Sequence, residues 1–324
     1  MNKAFALRKD SKIYIAGHKG LVGTALLNEF RSNGYLNLIT KTSSELDLRN
    51  EIDVNKFVSS EKPDLMLIAA AKVGGIVANM ENPISFLFDN LSIQKNLMTS
   101  ALNNSVSKVV FLGSSCVYPR LAPQPIKENS LLTGPLEKTN QSYSIAKIAG
   151  IEMINAINSE KGTSHFTVMP CNLFGPGDNF SLSQSHVLPA MIRKFHDAKV
   201  NGHSHVELWG SGKPLREFLY SEELAKGILF AVENYTEGGI INIGSGKEIS
   251  IQHLATTISR ITGFSGAIYW NSERPDGTPR KLLDISKITN LGWSTNENFE
   301  DQIADTYKWY MTNGAKDPRS ESDE

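Results

Sequence analysis

The chain alternates short apolar runs with longer stretches in which apolar residues recur three and four positions apart. The runs are "KIYIAG" (12–17), "LNLIT" (36–40), "DLMLIAAA" (64–71), "KVVFLGSS" (108–115) and "FTVMPCNLFG" (166–175). Their β-branched and aliphatic residues are those of strands. Between them lie "LVGTALLNEFRSNG", "NEIDVNKFVSSE", "PISFLFDNLSIQKNLMTSALNNS" and "SYSIAKIAGIEMINAINSEKG", all with helical spacing. Near-continuous apolar strands joined by helix-length connections predict a parallel sheet covered on both faces. This is a doubly wound, Rossmann-like α/β fold.

After residue 175 the rhythm breaks. A polar loop, "GPGDNFSLSQSH", leads to a predicted helix "VLPAMIRKFHDAK" and a strand "HVELWG". The stretch "REFLYSEELAKGILFAVEN" reads as a helix starting at Ser221 and Glu223, followed by a strand "GIINIGSG". The last third mixes a helix ("IQHLATTISRITG"), a strand ("GAIYW") and a loop ("ERPDGTPRKLLD"). The expected division is a dinucleotide-binding domain over 1–174 and about 216–247. A smaller C-terminal α/β lobe for substrate takes about 175–215 and 248–313, and residues 314–324 form a polar, disordered tail.

Composition narrows the function without naming it. A formal net charge of -1 leaves no electrostatic footprint for nucleic acid or a membrane surface. No apolar run approaches the roughly 18 residues of a membrane span. The start, "MNKAFALRKDSK", lacks a secretory core, so the two cysteines, Cys116 and Cys171, are expected as reduced thiols in the cytoplasm.

"IAGHKGLVG" puts Gly17, Gly20 and Gly23 in a G-x-x-G-x-x-G pattern between the first strand and the first helix. Glycine lets a pyrophosphate approach the backbone, and free helix N–H groups then point at it. His18, Lys19, Leu21 and Val22 complete the loop. A site preferring NAD carries an acid about 20 residues on, bonded to the ribose 2′-hydroxyl. Here the second strand leads into Thr40, Lys41, Thr42 and Ser43, with no acid before Glu45. Lys19 and Lys41 suit a 2′-phosphate, which predicts NADP(H).

Tyr143 and Lys147 form Y-x-x-x-K, one helical turn apart. With nine tyrosines, about half an occurrence is expected by chance, so placement carries the signal. The pair follows the fourth strand, and ligands of such sheets sit at the carboxyl ends of strands. A nearby ammonium favours phenolate, which predicts a Tyr143 pKa lowered toward use as a general acid/base. Ser114 ends the fourth strand and can hydrogen-bond the same carbonyl oxygen. Glycine loop, serine and Y-x-x-x-K together resemble the extended short-chain dehydrogenase/reductase family. If the segment after Ser114 is extended, Cys116 shares its face and points into the same cavity. Cys171, within an apolar strand, reads as a small buried hydrophobe. Of the seven histidines, His186 opens a helix after the polar loop, and its position alone leaves its role open.

Longer matches sharpen this. "IAGHKGLVG", "AAAKVGGIVANM", "LGSSCVYP", "YSIAKIAG", "SQSHVLPA", "GSGKPLREF" and "PDGTPRKLLD" resemble the GDP-L-fucose synthase family over roughly residues 12 to 313. These are 3,5-epimerase/4-reductases of GDP-4-keto-6-deoxy-mannose. The resemblance implies Cys116 and His186 for the epimerisations and Ser114, Tyr143 and Lys147 for the reduction. It implies cofactor contacts from Leu112, Gly113, Ser114, Ser115, Lys147, Pro170, Cys171, Asn172, Leu173 and His186. Substrate contacts fall on Lys194, Trp209, Arg216, Asp276 and Lys281. Lys194 departs from the arginine expected there and loses its bidentate fork. A homodimer is also implied, and no metal. Three alternatives stay open: a related GDP-4-keto sugar as substrate, a plain epimerase or dehydratase that retains its cofactor, and a silent dinucleotide-binding regulator.

Overall fold

The computed structural model describes residues 5–182, 184–274, 276–295 and 298–314. Strand β1 (Ile13–Ala16) runs into helix α1 (Leu21–Ser32). The alternation continues through β2 (Leu38–Ile39), α2 (Glu51–Glu61), β3 (Leu65–Ile68), α3 (Ile76–Glu81) and α4 (Pro83–Asn103). Next come β4 (Lys108–Leu112), α5 (Gln141–Lys161), β5 (Phe166–Pro170) and β6 (Asn172–Phe174). The later elements are α6 (Val187–Val200), β7 (His205–Trp209), β8 (Leu215–Tyr220), α7 (Ser221–Asn234), β9 (Gly239–Ile243) and β10 (Glu248–Ser250). The chain ends through α8 (Ile251–Thr262), β11 (Ala267–Asn271), β12 (Arg280–Lys281), α9 (Ser286–Asn290) and α10 (Phe299–Asn313).

The main sheet has the order β2-β1-β3-β4-β5-β9, with every pairing parallel. All residues of β1, β3, β4 and β5 are buried, which is why these strands read as unbroken apolar runs. Helix α1 packs with α7, while α2, α4 and α5 pack together. Strand order reverses between β1 and β3, and such a reversal opens a crevice at the strands' carboxyl ends.

Two expected elements differ. The run 166–175 is not one strand: Pro170 ends β5 after its last pairing with Ile243, and β6 then pairs with β8 in a second sheet. Cys171 is the step between the sheets, buried and donating its N–H to the Ile243 carbonyl. The segment "REFLY", expected to lead into a helix with no strand of its own, belongs to strand β8; the helix begins at Ser221 as expected, with Glu222 and Glu223 in the first turn where the dipole favours acids.

Two apolar cores result. The larger surrounds the sheet and includes Leu224, Ile228, Ile241 and Ile243 from the crossing-back segment. The smaller joins α6, α8 and α10 through Ile192, Phe195, Leu254, Ile258, Ile303 and Tyr307. Leu283, Ile288 and Trp293, from within the stretch expected to belong to the small lobe, pack on the larger core. The tail 315–324 lies outside the described residues. Among the described residues, no helix is long and apolar enough to cross a membrane.

Candidate active site

The glycine loop is closed on itself more tightly than side chains allow. Gly17 has φ +85°, and a Cβ there would lie 2.6 Å from the Ala70 nitrogen at the end of β3. A Cβ on Gly23 would lie 2.0 Å from the Gly17 carbonyl oxygen. Gly20 is the N-cap of helix α1 and offers no side-chain cap, which suits the helix's first amides to an anionic acceptor. The buried Nδ1 of His18 has no hydrogen-bond partner. A glycine-only cradle, an uncapped helix end and an orphaned imidazole nitrogen fit a dinucleotide. Lys41, expected for a 2′-phosphate, lies beside this loop and faces Glu45 at 3.9 Å. Hydrogen bonds from Thr42 and the nearby lysine hold the Glu45 carboxyl below its ordinary value.

The ends of β4 and β5 supply the next wall. Gly113 donates to the Val168 carbonyl at 2.9 Å, and a Cβ on it would meet the Met169 sulfur at 2.4 Å. Ser114 caps a 3-10 turn over Ser115–Val117 by accepting the Cys116 N–H at 3.4 Å. The expectation of an extended segment is therefore corrected, because the Ser114 hydroxyl turns the chain. Cys116 is half-buried and lines a pocket with Tyr118, Arg120, Glu137, Arg280 and Lys281.

Helix α5 brings Tyr143 and Lys147 against these strand ends. Lys147 is buried and donates to the Leu112 carbonyl at 2.7 Å; its Nζ lies 5.8 Å from the Tyr143 ring centroid. Ser114 lies in hydrogen-bonding reach of the Tyr143 phenol. Burial, with the Cys116 charge, pushes that phenol up, and the Ser114 bond pulls the other way. The expected lowering by Lys147 is overturned: burial brings the ammonium itself down to about 8, while Cys116 opposes this. Tyr143 is thus held as a neutral phenol able to donate.

His186 is the N-cap of α6 and is exposed. Crowding by surrounding protein pushes its pKa down, and the Lys281 charge adds to this. Its loop is joined to the connection between β3 and α3 by a bond from Gly75 N–H to the Gln184 carbonyl at 2.8 Å. A Cβ on Gly75 would lie 2.5 Å from the Ser185 oxygen. The loop before α3 is itself held by buried Asn90 of α4, which exchanges two hydrogen bonds with the Lys72 backbone. Asn90 and Gly75 escaped sequence reasoning, although "AAAKVGGIVANM" contains Gly75.

The remaining predicted residues form two groups. Lys194 and Arg274 lie 5.8 and 4.9 Å from the exposed Trp209 ring, and Arg274 is a guanidinium the sequence reading did not single out. Arg216 and Lys281 are register partners on β8 and β12. Asp276 accepts the Ser211 N–H and hydroxyl at 2.6 and 2.8 Å, which turns its carboxylate to the β7–β8 turn. Lys281 joins the halves of the site. Burial lowers its pKa; the Cys116 charge opposes this, and its own charge acts on His186. Pro170, Cys171, Asn172 and Leu173 lie at the sheet-to-sheet step, with Asn172 donating to the Glu217 carbonyl at 2.7 Å.

A glycine cradle at the sheet's switch point, with a Ser–Tyr–Lys group beside it, defines a dinucleotide-dependent enzyme. The chain belongs to the NAD dependent epimerase/dehydratase family, whose model matches residues 13–244. Within that family it is 49% identical to GDP-L-fucose synthase 1 of Arabidopsis thaliana, covering 94% of each chain. Its fold is similar to a GDP-6-OMe-4-keto-L-xylo-heptose reductase from C. jejuni (TM-score 0.89, 37% identity, 95% and 99% of the two chains). It is also similar to a GDP-L-fucose synthetase from Naegleria fowleri bound to NADP (TM-score 0.88, 29% identity, 97% and 98%).

Proposed function

We propose that the chain is an NADPH-dependent 3,5-epimerase and 4-reductase that converts GDP-4-keto-6-deoxy-mannose to GDP-L-fucose. The observation that carries this is that Cys116 and Lys281 line one pocket, while the positive charge of Lys281 also acts on His186. A plain epimerase or dehydratase has no use for the pair Cys116 and His186.

A 4-keto group acidifies the protons on C3 and C5. Cys116 removes a proton from one face, and His186 returns one to the other. The Tyr143 phenol and the Ser114 hydroxyl donate to the enolate oxygen. The enolate's negative charge offsets the repulsion from Lys281 and favours the proton on His186. Bound NADPH supplies hydride to C4. Tyr143 then gives its proton to the 4-oxygen, while Lys147 holds the tyrosine's helix to the end of β4.

On this reading the sheet lobe holds the cofactor. Its contacts are Gly17 to Gly23, Lys41, Leu112 to Ser115, Lys147, Pro170 to Leu173, and His186. The smaller lobe holds GDP. Trp209 offers a face for guanine, with Lys194, Arg216 and Lys281 supplying positive charge for the diphosphate. Asp276 shapes the turn beneath them. The enzyme acts in the cytoplasm as a homodimer: α4 and α5 leave Ile84, Phe88 and Ile145 exposed, an apolar face for a second copy to cover.

The likeness to a heptose reductase favours a second reading, in which the substrate is a related GDP-4-keto heptose. One experiment separates them. Incubation with NADPH and GDP-4-keto-6-deoxy-mannose in deuterated water should give GDP-L-fucose labelled at C3 and C5, with stoichiometric NADPH oxidation. Turnover of only the heptose analogue would replace the first reading by the second.

A further inference from the structure

Glu217 follows Arg216 on β8 and has no solvent exposure. Its partners are main-chain amides from two distant segments. Oε1 accepts the Gly246 N–H at 2.7 Å in the turn after β9, and Oε2 accepts the Leu283 N–H at 2.9 Å just beyond β12. Gly244 leaves room for the carboxylate, since a Cβ there would lie 2.2 Å from Oε1. Desolvation pushes this carboxyl up to about 7, against the pull of the amides from Leu283 and Gly246.

A buried acid held only by amides costs stability that an apolar residue would not. What it delivers is geometry. The Gly244–Gly246 turn continues the carboxyl end of β9 in the main sheet, while Leu283 lies two residues beyond Lys281. Lys281 is in register with Arg216, the residue before Glu217. One side chain therefore ties the strand of Arg216 and the strand of Lys281 to the sheet that carries the catalytic wall.

We propose that Glu217 is a positioning residue, whose carboxylate sets Lys281 beside Cys116 by clamping the Gly246 and Leu283 amides. This rests on the epimerase/reductase reading above. Glu217 touches neither substrate nor cofactor and acts through Lys281.

The test uses Glu217→Gln in the full chain, since an amide NH2 keeps the shape but turns a donor toward one of the two backbone donors. Binding of GDP and of NADPH is measured by calorimetry. Deuterium wash-in at C3 and C5 of GDP-4-keto-6-deoxy-mannose is followed by NMR. GDP affinity and wash-in should each fall about tenfold, with NADPH affinity changed less than about twofold. In a Lys281→Met background, adding Glu217→Gln should change wash-in by less than about twofold, because the effect runs through that lysine. Wild-type values in Glu217→Gln, or two effects that multiply in full, would overturn the proposal. A wild-type chain with no wash-in on any GDP-4-keto sugar sinks the functional reading instead. If Glu217→Gln does not fold, Glu217→Asp, whose shorter arm keeps the charge but draws back from both amides, is read by the same criteria.

Discussion

The ammonium of Lys147 donates to the main-chain carbonyl of Leu112 at 2.7 Å, joining the helix of Tyr143 to the strand end that leads into Ser114. Burial lowers this lysine to about 8, so the clamp is held at a cost. The folded-state pKa lies below the unfolded value, so the unfolded chain binds the extra proton between about pH 8 and pH 10.5. The cost is full below pH 8, about 3 kcal/mol, and is relieved as pH rises through that window. Lys147→Met should therefore gain stability relative to wild type at pH 7 and lose about 2 to 3 kcal/mol of that advantage by pH 10, as urea titrations at both pH values would measure. A gap independent of pH would show that folding does not lower the pKa of this lysine.

Tyr143→Phe removes the phenol while leaving its ring against Phe86, 6.3 Å away between centroids in an edge-to-face contact. Helix α5 should keep its place. Hydride transfer, followed by NADPH absorbance, should drop by about 10²- to 10⁴-fold, with NADPH affinity unchanged. Wild-type turnover would remove the proton-donor role.

Cys116→Ser keeps the turn, because Ser114 caps it through a backbone N–H rather than through the thiol. A hydroxyl is a far weaker base than a thiolate, so deuterium wash-in at C3 and C5 should slow by roughly 100-fold. Reduction of a pre-epimerised 4-keto sugar should persist. Equal loss of both activities would contradict the division of labour.

How far the sequence reached depends on what kind of contact each feature uses. Strands β1, β3, β4 and β5 were legible because burial on both faces makes their residues uniformly apolar. β8 was hidden because "REFLY" runs directly into a helix, and its strand character comes from three partners distant in sequence. β12 is two residues long and carries no periodicity. The glycine loop and the Tyr143–Lys147 spacing are local patterns and could be read. Neither the dependence of the His186 loop on Gly75 nor the clamp at Glu217 is local, and neither leaves a mark on residue spacing. The electrostatics misled for a related reason: the lysine's proximity to Tyr143 could be foreseen, but the burial that outweighs it could not.

Gly75→Ala tests the placement of the His186 loop. The Gly75 backbone has φ -67°, which any residue adopts, so the whole effect is the contact at 2.5 Å with the Ser185 oxygen. Pushing that loop outward should slow epimerisation about tenfold while leaving NADPH affinity intact, since near-attack geometry is lost with small displacements. Calorimetry with NADPH and deuterium wash-in would check both halves. Unchanged wash-in would mean that His186 keeps its place without this approach.

Lys41 and Glu45 stand 3.9 Å apart beside the glycine loop, so a phosphate arriving there meets one favourable charge and one unfavourable charge. Removing the cation and removing the anion should act in opposite directions. Lys41→Ala should weaken NADPH about tenfold and NADH hardly at all, because only the former carries the 2′-phosphate. Glu45→Gln should tighten NADPH by a fewfold, since the carboxylate, ionised well below neutral pH, no longer repels the phosphate. Both effects should shrink as salt rises from 0.05 to about 0.5 M, because the pair is solvent-accessible and screened. Fluorescence titration of both cofactors against both variants decides the matter: equal changes for NADPH and NADH would place the 2′-phosphate elsewhere and leave Lys41 a solvated partner of Glu45.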